Sequence, residues 1–127
     1  MNKLGRVQET ILEQMFKHYV TLKMYHFQTK HFGAHQASDK YLASFLGHFD
    51  QFLEVYQGIF KTVTSKSLKI EAQMVTDQDI AGYLDGFCDF LTNLDKLLGK
   101  GTFYDLYAIR DEMIGEVNRF KYLLRFQ

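Results

Sequence analysis

The sequence contains no proline and no tryptophan, and it has a single cysteine, Cys88. One thiol excludes both an internal disulfide and a metal site built on a CxxC motif. Cys88 lies within an apolar stripe, where we expect it to serve packing. Because proline is the residue that most strongly breaks a helix from inside, its absence allows long uninterrupted helices.

An excess of charge of either sign is also missing, since 15 basic residues balance 15 acidic ones. This balance removes the simplest electrostatic argument for binding nucleic acid or an anionic membrane surface. No long apolar run and no secretory signal pattern precede the first helix-like segment, so a cytoplasmic protein is expected, with association with a virion left open. An apolar content of 46% and a charged content of 24% in 127 residues predict one globular domain, 1–127.

The apolar residues that are present recur every three or four positions, which is the spacing of helices and not of strands. Four segments follow this pattern, at about 4–28, 34–60, 77–98 and 103–126. Thr76 or Asp77 is the expected cap of the third helix, and Gly99 and Gly101 are expected to end it. The sequence therefore predicts an all-α fold, a bundle of four helices.

The lengths of the connections favour one topology among the possible bundles. Short links join helices one and two, and helices three and four, as expected for antiparallel neighbours. Helices two and three are separated by Lys61 to Thr76, which could span ~50 Å when extended. This exceeds the ~40 Å length of helix two. The prediction is a ferritin-like four-helix bundle with a long crossover between helices two and three.

Two histidines and three carboxylates are concentrated in the first half of the chain: His26, His35, Asp39, Asp50 and Glu54. On helix two, with His35 as the zero of angle, the three acids lie at about 40°, 60° and 100°. They share or flank the apolar stripe of Leu42, Leu46 and Leu53, so we expect them to face something other than water. His48, at about 220°, is expected to be solvated. Burying such polar groups costs several kcal/mol unless they are paired or bind a metal.

The distance along helix two decides how these residues can meet. Asp39 and Asp50 are ~16 Å apart along the axis, too far for one metal site on one straight helix. The His35/Asp39 pair and the Asp50/Glu54 pair are placed symmetrically about the midpoint between residues 44 and 45. Two antiparallel copies of the helix that cross at this midpoint would set each pair opposite the other. The sequence thus predicts two equivalent metal sites at a twofold dimer interface, where Ala43 and Gly47 would ease the close approach.

This series of residues resembles the ferroxidase-site motif of Dps proteins, the miniferritin branch of the ferritin-like superfamily. The spacing from His35 through Asp39 and Asp50 to Glu54 matches that motif. By this resemblance, His26, His35 and Asp39 come from one subunit and face Asp50 and Glu54 of its dimer mate.

The chain is also similar to a group of short Dps-like proteins from phages and large DNA viruses. The shared segments read Tyr25-His26-Phe27-Gln28-Thr29 and Glu54-Val55-Tyr56-Gln57-Gly58. Dps proteins usually place their two site histidines twelve residues apart, whereas His26 and His35 are nine apart, and His31 remains an alternative first ligand. The lysine-rich tail with which some Dps proteins hold DNA has no counterpart in these residues, so DNA binding is not carried over.

The resemblance implies a ferroxidase that oxidises Fe(II) with hydrogen peroxide or oxygen and stores or detoxifies the iron. Imidazole and carboxylate ligands suit iron, although zinc or another divalent metal remains open. The implied partner is a second copy of the chain, in a twofold dimer and in a dodecameric shell, with no membrane involved. The alternative of a different class is a non-catalytic module, which would bind metal or serve dimerisation without turnover.

Overall fold

The computed structural model describes residues 3–99 and 101–126, and over these residues it contains helices, turns and loops without a strand. The helices are α1 (Lys3–Gln28), α2 (Phe32–Ile59), α3 (Ile80–Thr92), α4 (Leu94–Leu98) and α5 (Tyr104–Leu123). The prediction of an all-α bundle is confirmed. None of the helices in the described ranges is both long enough and apolar enough to cross a membrane.

The segment predicted as the third helix is shorter than expected and is interrupted. It begins at Ile80 because residues 77–79 form a turn, in which the backbone N–H of Asp79 donates to the carbonyl of Thr76 at 3.1 Å. At Asn93 the helix ends, and α4 adds a single further turn before Gly99. Gly99 has a φ of 79°, a backbone conformation that glycine adopts without steric cost.

Helix α2 is the centre of the bundle, because it packs against both α1 and α5, and α5 also packs against α3. Its buried side chains recur at helical spacing: Ala34, Ala37, Ser38, Tyr41, Leu42, Phe45, Phe49, Phe52 and Tyr56. Since the core takes only this stripe, the adjoining stripe of α2 stays outside the core of the single chain.

A histidine lies at the centre of the core. His18 of α1 is fully buried, with Nε2 2.7 Å from the hydroxyl of Tyr41 and Nδ1 3.0 Å from the hydroxyl of Tyr83. Its ring stacks on Phe87 with the centroids 3.5 Å apart. A neutral imidazole has one donor and one acceptor, so one hydroxyl donates to the ring and the other accepts from it. Burial lowers the pKa of His18 to about 3, and the residue therefore joins α1, α2 and α3 as a neutral group.

The linker between α2 and α3, residues 60–79, follows α1 in the direction of its chain. The Ser65 hydroxyl lies 3.3 Å from the Glu9 carboxylate, near the beginning of α1. The backbone N–H of Gln73 donates to the Thr21 hydroxyl at 3.1 Å, and Asp77 contacts the last turn of α1. The linker thus ends beside the turn that joins α1 to α2.

Candidate metal centre

The turn between α1 and α2 brings two of the candidate ligands together. His26 lies in the last turn of α1, and His35 lies in the first turn of α2. Their imidazole rings stack at a centroid distance of 4.0 Å and an interplanar angle of 18°. The three-residue connection therefore does not separate the two histidines, although it is shorter than in the family that the motif resembles.

Each of these histidines is held by the backbone of the other. Nδ1 of His26 lies 2.9 Å from the carbonyl oxygen of His35, and Nδ1 of His35 lies 2.8 Å from the carbonyl oxygen of His26. A carbonyl oxygen can only accept a hydrogen bond, so both Nδ1 atoms must carry the proton. In the neutral rings the lone pair is then on Nε2, which is the atom left to bind a metal.

Ser38 completes this arrangement from the next turn of α2. Its hydroxyl lies 2.9 Å from Nδ1 of His26 and donates to the carbonyl of His35 at 3.0 Å. Ser38 is fully buried, and His26 is only 7% exposed, whereas His35 is exposed. Hydrogen bonds to the second ring nitrogen fix the orientation and tautomer of metal-binding histidines in general. The protein alone therefore holds the two rings in fixed orientations.

The three candidate carboxylates lie on the exposed stripe of α2. Asp39, Asp50 and Glu54 are exposed in the single chain, and in the described ranges none of their side chains makes a hydrogen bond or an ion pair. Within 3–99 and 101–126, no group of three or more histidine, cysteine, aspartate or glutamate side chains is placed to hold a metal ion. The single chain therefore brings together His26 and His35, but not these with the three acids.

An apolar surface separates the two polar pairs of α2. Leu46 is 39% exposed and Phe16 of α1 is 40% exposed. Both line a groove of about 370 Å³ that also includes Leu53 and Asp50. Ala43 and Gly47 are exposed on the same helix. The contact of this stripe with a second copy stays a prediction.

The alternative first ligand, His31, lies beside a different group. Its Nε2 atom is 3.9 Å from Oδ2 of Asp77, at the end of the linker. Asp77 also accepts hydrogen bonds from the Tyr25 and Thr29 hydroxyls and from the backbone N–H of Lys30. Partial burial would raise the pKa of the Asp77 carboxyl, but these hydrogen bonds outweigh burial, and the pKa is lowered. Thr76 or Asp77 was expected as the cap of the third helix, but the N-cap is Asp79, and Asp77 instead contacts the α1–α2 turn.

Two polar contacts in the bundle were not expected from the pattern of the sequence. His48, expected to be solvated, is half-buried and lies 3.0 Å from Glu112 of α5, because this side of α2 faces α5. Arg110 is buried and donates to Asp95, Asp111 and the carbonyl of Leu91, so it joins α5 to α3 and α4.

The buried His18 could have been predicted from the sequence, since it continues the apolar row of Ile11 and Met15 at helical spacing.

Most of the chain matches a known family. A family model described as a family of unknown function (DUF5856) matches residues 26–124. The chain belongs to this family. The matched range contains His26, His35 and the three candidate acids, whereas His18 lies before it. No curated protein and no solved structure matches the chain.

Proposed function

We propose that this protein is a Dps-like miniferritin that oxidises Fe(II) at sites shared between two copies of the chain. The proposal rests on the two reciprocal hydrogen bonds between His26 and His35. In each bond, the Nδ1–H of one histidine donates to the backbone carbonyl oxygen of the other. Two neutral imidazoles with free Nε2 lone pairs are good ligands for a divalent first-row metal, and Fe(II) is one of these.

The remaining ligands would come from a second copy. Asp50 and Glu54 are exposed, and neither side chain has a partner in the described part of the chain. With two α2 helices antiparallel and crossing between residues 44 and 45, His35 and Asp39 of one copy face Asp50 and Glu54 of the other. The exposed Leu46 and Phe16 would then be covered at the centre of the interface. This arrangement supplies apolar burial between two metal sites, as dimer association requires.

The path of the linker supports a ferritin-like bundle with a long crossover. Its contacts move from Glu9 through Thr21 to Tyr25 as the chain runs from Ser65 to Asp77. A linker that runs along α1 in this direction starts α3 at the end of the bundle where α2 begins. Helix α3 is then parallel to α2, which is the connection that distinguishes ferritin-like bundles from simple up-and-down bundles.

The proposed reaction transfers one electron from each of two Fe(II) ions to one molecule of hydrogen peroxide. With two protons, the peroxide becomes two waters and the iron becomes two Fe(III). Carboxylate oxygens favour the harder Fe(III) product, while imidazole suits the Fe(II) substrate. Storage of the product would need a closed assembly larger than a dimer, because a dimer alone encloses no mineral.

The proposal is tested by mixing the purified protein with Fe(II) and peroxide and following Fe(III) formation by absorbance. We expect faster formation than in buffer, and a loss of at least about 10-fold for Asp50→Ala, which removes a charged ligand. The matched control is Asp89→Ala, an exposed helical aspartate outside the candidate site. Tight Fe(II) binding without accelerated oxidation would instead support the non-catalytic metal-binding module. A rate equal to that in buffer, without metal binding, would refute the proposal.

A further inference from the structure

The connection between α1 and α2 is held by a residue from a distant part of the chain. The carboxylate of Asp77 accepts hydrogen bonds from the Tyr25 hydroxyl at 2.9 Å, the Thr29 hydroxyl at 2.6 Å and the backbone N–H of Lys30 at 3.1 Å. The first two donors share Oδ1, and the third donates to Oδ2. One side chain thus fixes the last turn of α1 and the connection that follows it.

Among the described residues, Asp77 is the only charged acceptor for the backbone and hydroxyl groups of residues 29–31. The N-cap of α2 is His31, whose side chain makes no capping hydrogen bond. The Thr29 hydroxyl accepts from the backbone N–H of His31 at 3.3 Å, and this same hydroxyl donates to Asp77. Hydrogen bonds to a charged acceptor are about twice as strong as neutral ones. Asp77 is therefore the charged acceptor that fixes the path of the chain between α1 and α2.

The connection held by Asp77 adjoins both histidines of the pair. His26 directly follows Tyr25, and His35 is one helical turn after His31. Their two reciprocal hydrogen bonds cross from one helix to the other, at 2.9 and 2.8 Å. Because such bonds weaken steeply with distance and misalignment, a small shift of the first turn of α2 relative to the last turn of α1 would weaken both at once.

We propose that Asp77 is a positioning residue for the metal site, acting through the α1–α2 turn to hold His26 and His35 in their locked tautomers. We assign it no ligand role, because its side chain contacts Tyr25, Thr29 and His31 and not the ring of His26 or His35. The inference rests on the proposed function for its effect on metal binding, but the locking of the tautomers is a property of the metal-free protein.

The test compares Asp77→Asn with Asp79→Asn. In Asp77→Asn, the side-chain NH₂ group, which is a hydrogen-bond donor, would face one of the donors that Asp77 accepts from. At least one hydrogen bond to the turn would then be lost. Asp79 lies in the same linker turn and accepts from the Thr76 hydroxyl at 3.0 Å, so its substitution removes the same charge without touching α1. Thr29→Val, which removes one donor and keeps the side-chain shape, serves as a second variant should Asp77→Asn fail to fold.

The first readout is the ring ¹⁵N chemical shifts of His26 and His35 in the metal-free protein. We expect shifts typical of the Nδ1–H form in the wild type and in Asp79→Asn. In Asp77→Asn and Thr29→Val, the shifts should average between the two neutral tautomers. Unchanged histidine shifts in a folded Asp77→Asn variant, even one with a lower Tm, would overturn the inference.

The second readout is the affinity for Co(II), a divalent probe that is not oxidised during the titration. Loss of an orienting group typically lowers metal affinity 10- to 100-fold, and we expect about this loss in Asp77→Asn and no comparable loss in Asp79→Asn. If the wild type binds no Co(II) or Fe(II), the proposed function fails, while the ¹⁵N measurement still decides the role of Asp77. If the wild type and Asp77→Asn bind equally well, the role of Asp77 is refuted and the proposed function stands.

Discussion

His26 and His35 each donate the Nδ1–H of their imidazole to the backbone carbonyl oxygen of the other. The bonds join the last turn of one helix to the first turn of the next, and they leave both Nε2 lone pairs free. Core histidines are usually satisfied on both ring nitrogens, as His18 is by Tyr41 and Tyr83. The contrast between the two arrangements is the strongest physical reason to interpret the His26/His35 pair as half of a metal site.

Substitution of single histidines should distinguish the ligands from their neighbours. We expect His26→Ala and His35→Ala to lower the affinity for Co(II) by at least about 10-fold, because each removes an Nε2 ligand. His31→Ala is the comparison variant, because His31 is the alternative first ligand and lies beside Asp77 and not beside His35. Isothermal titration calorimetry provides the measurement. A loss in His31→Ala as large as that in His35→Ala, with no loss in His26→Ala, would make His31 the first ligand instead of His26.

Leu46→Glu should prevent dimer formation. Leu46 is exposed in the single chain and lies close to the midpoint of the two polar pairs, so a twofold interface would bring two introduced carboxylates near each other. Like charges in an interface cost several kcal/mol. Sedimentation equilibrium should show a dimer or a larger assembly for the wild type and a monomer for the variant.

The control for this experiment is Ile59→Glu. Ile59 is 42% exposed, close to the 39% of Leu46, but it lies at the last residue of α2. We expect its substitution to leave the mass of the α2-mediated dimer unchanged. Equal masses for Leu46→Glu and the wild type would show that this face is not the interface.

Acid should destabilise the fold through His18. Its pKa is about 3 in the folded state, against an ordinary value of 6.5. Above pH 6.5 the residue is neutral in both states, and below it the unfolded chain gains a proton that the folded chain does not. Stability should therefore fall by about 1.4 kcal/mol per pH unit, or about 5 kcal/mol in total, as the pH drops from 6.5 to 3.

Urea unfolding at several pH values measures this dependence. In His18→Gln the side chain can still donate to one tyrosine and accept from the other, but it takes up no proton in this range. Its stability should be lower at pH 7 and should depend less steeply on pH between 6.5 and 3. A variant with the same slope as the wild type would show that the acid sensitivity arises elsewhere.

Helical spacing alone predicts the class of the fold. The segments at 4–28 and 34–60 correspond closely to α1 and α2, because long proline-free amphipathic stretches have few competing structures. The third segment was predicted less well. The helix begins at Ile80 and not at residue 77, because Asp77 accepts hydrogen bonds from the α1–α2 turn. This contact joins residues nearly fifty positions apart, and no local sequence pattern reveals it.

The candidate site was predictable as a set of residue types and spacings but not as a geometry. The symmetry of the two polar pairs about the midpoint of α2 follows from their positions in the sequence, so it needs no structure. The stacking of His26 on His35 depends on the angle of the turn, and local sequence does not determine that angle. The prediction for His48 was wrong. Its angle on α2 indicated exposure to solvent, but α5 covers it.

Mixing two inactive variants tests most directly whether each site is shared between two copies. His35→Ala loses a ligand from one half-site and Asp50→Ala from the other, so each variant alone has no complete site. When the two are co-expressed in equal amounts, random pairing across a twofold interface restores about a quarter of the sites. We therefore predict that the co-expressed mixture oxidises Fe(II) at about a quarter of the wild-type rate. If the mixture is no more active than either variant alone, the two half-sites do not meet across a subunit interface, and the account is contradicted.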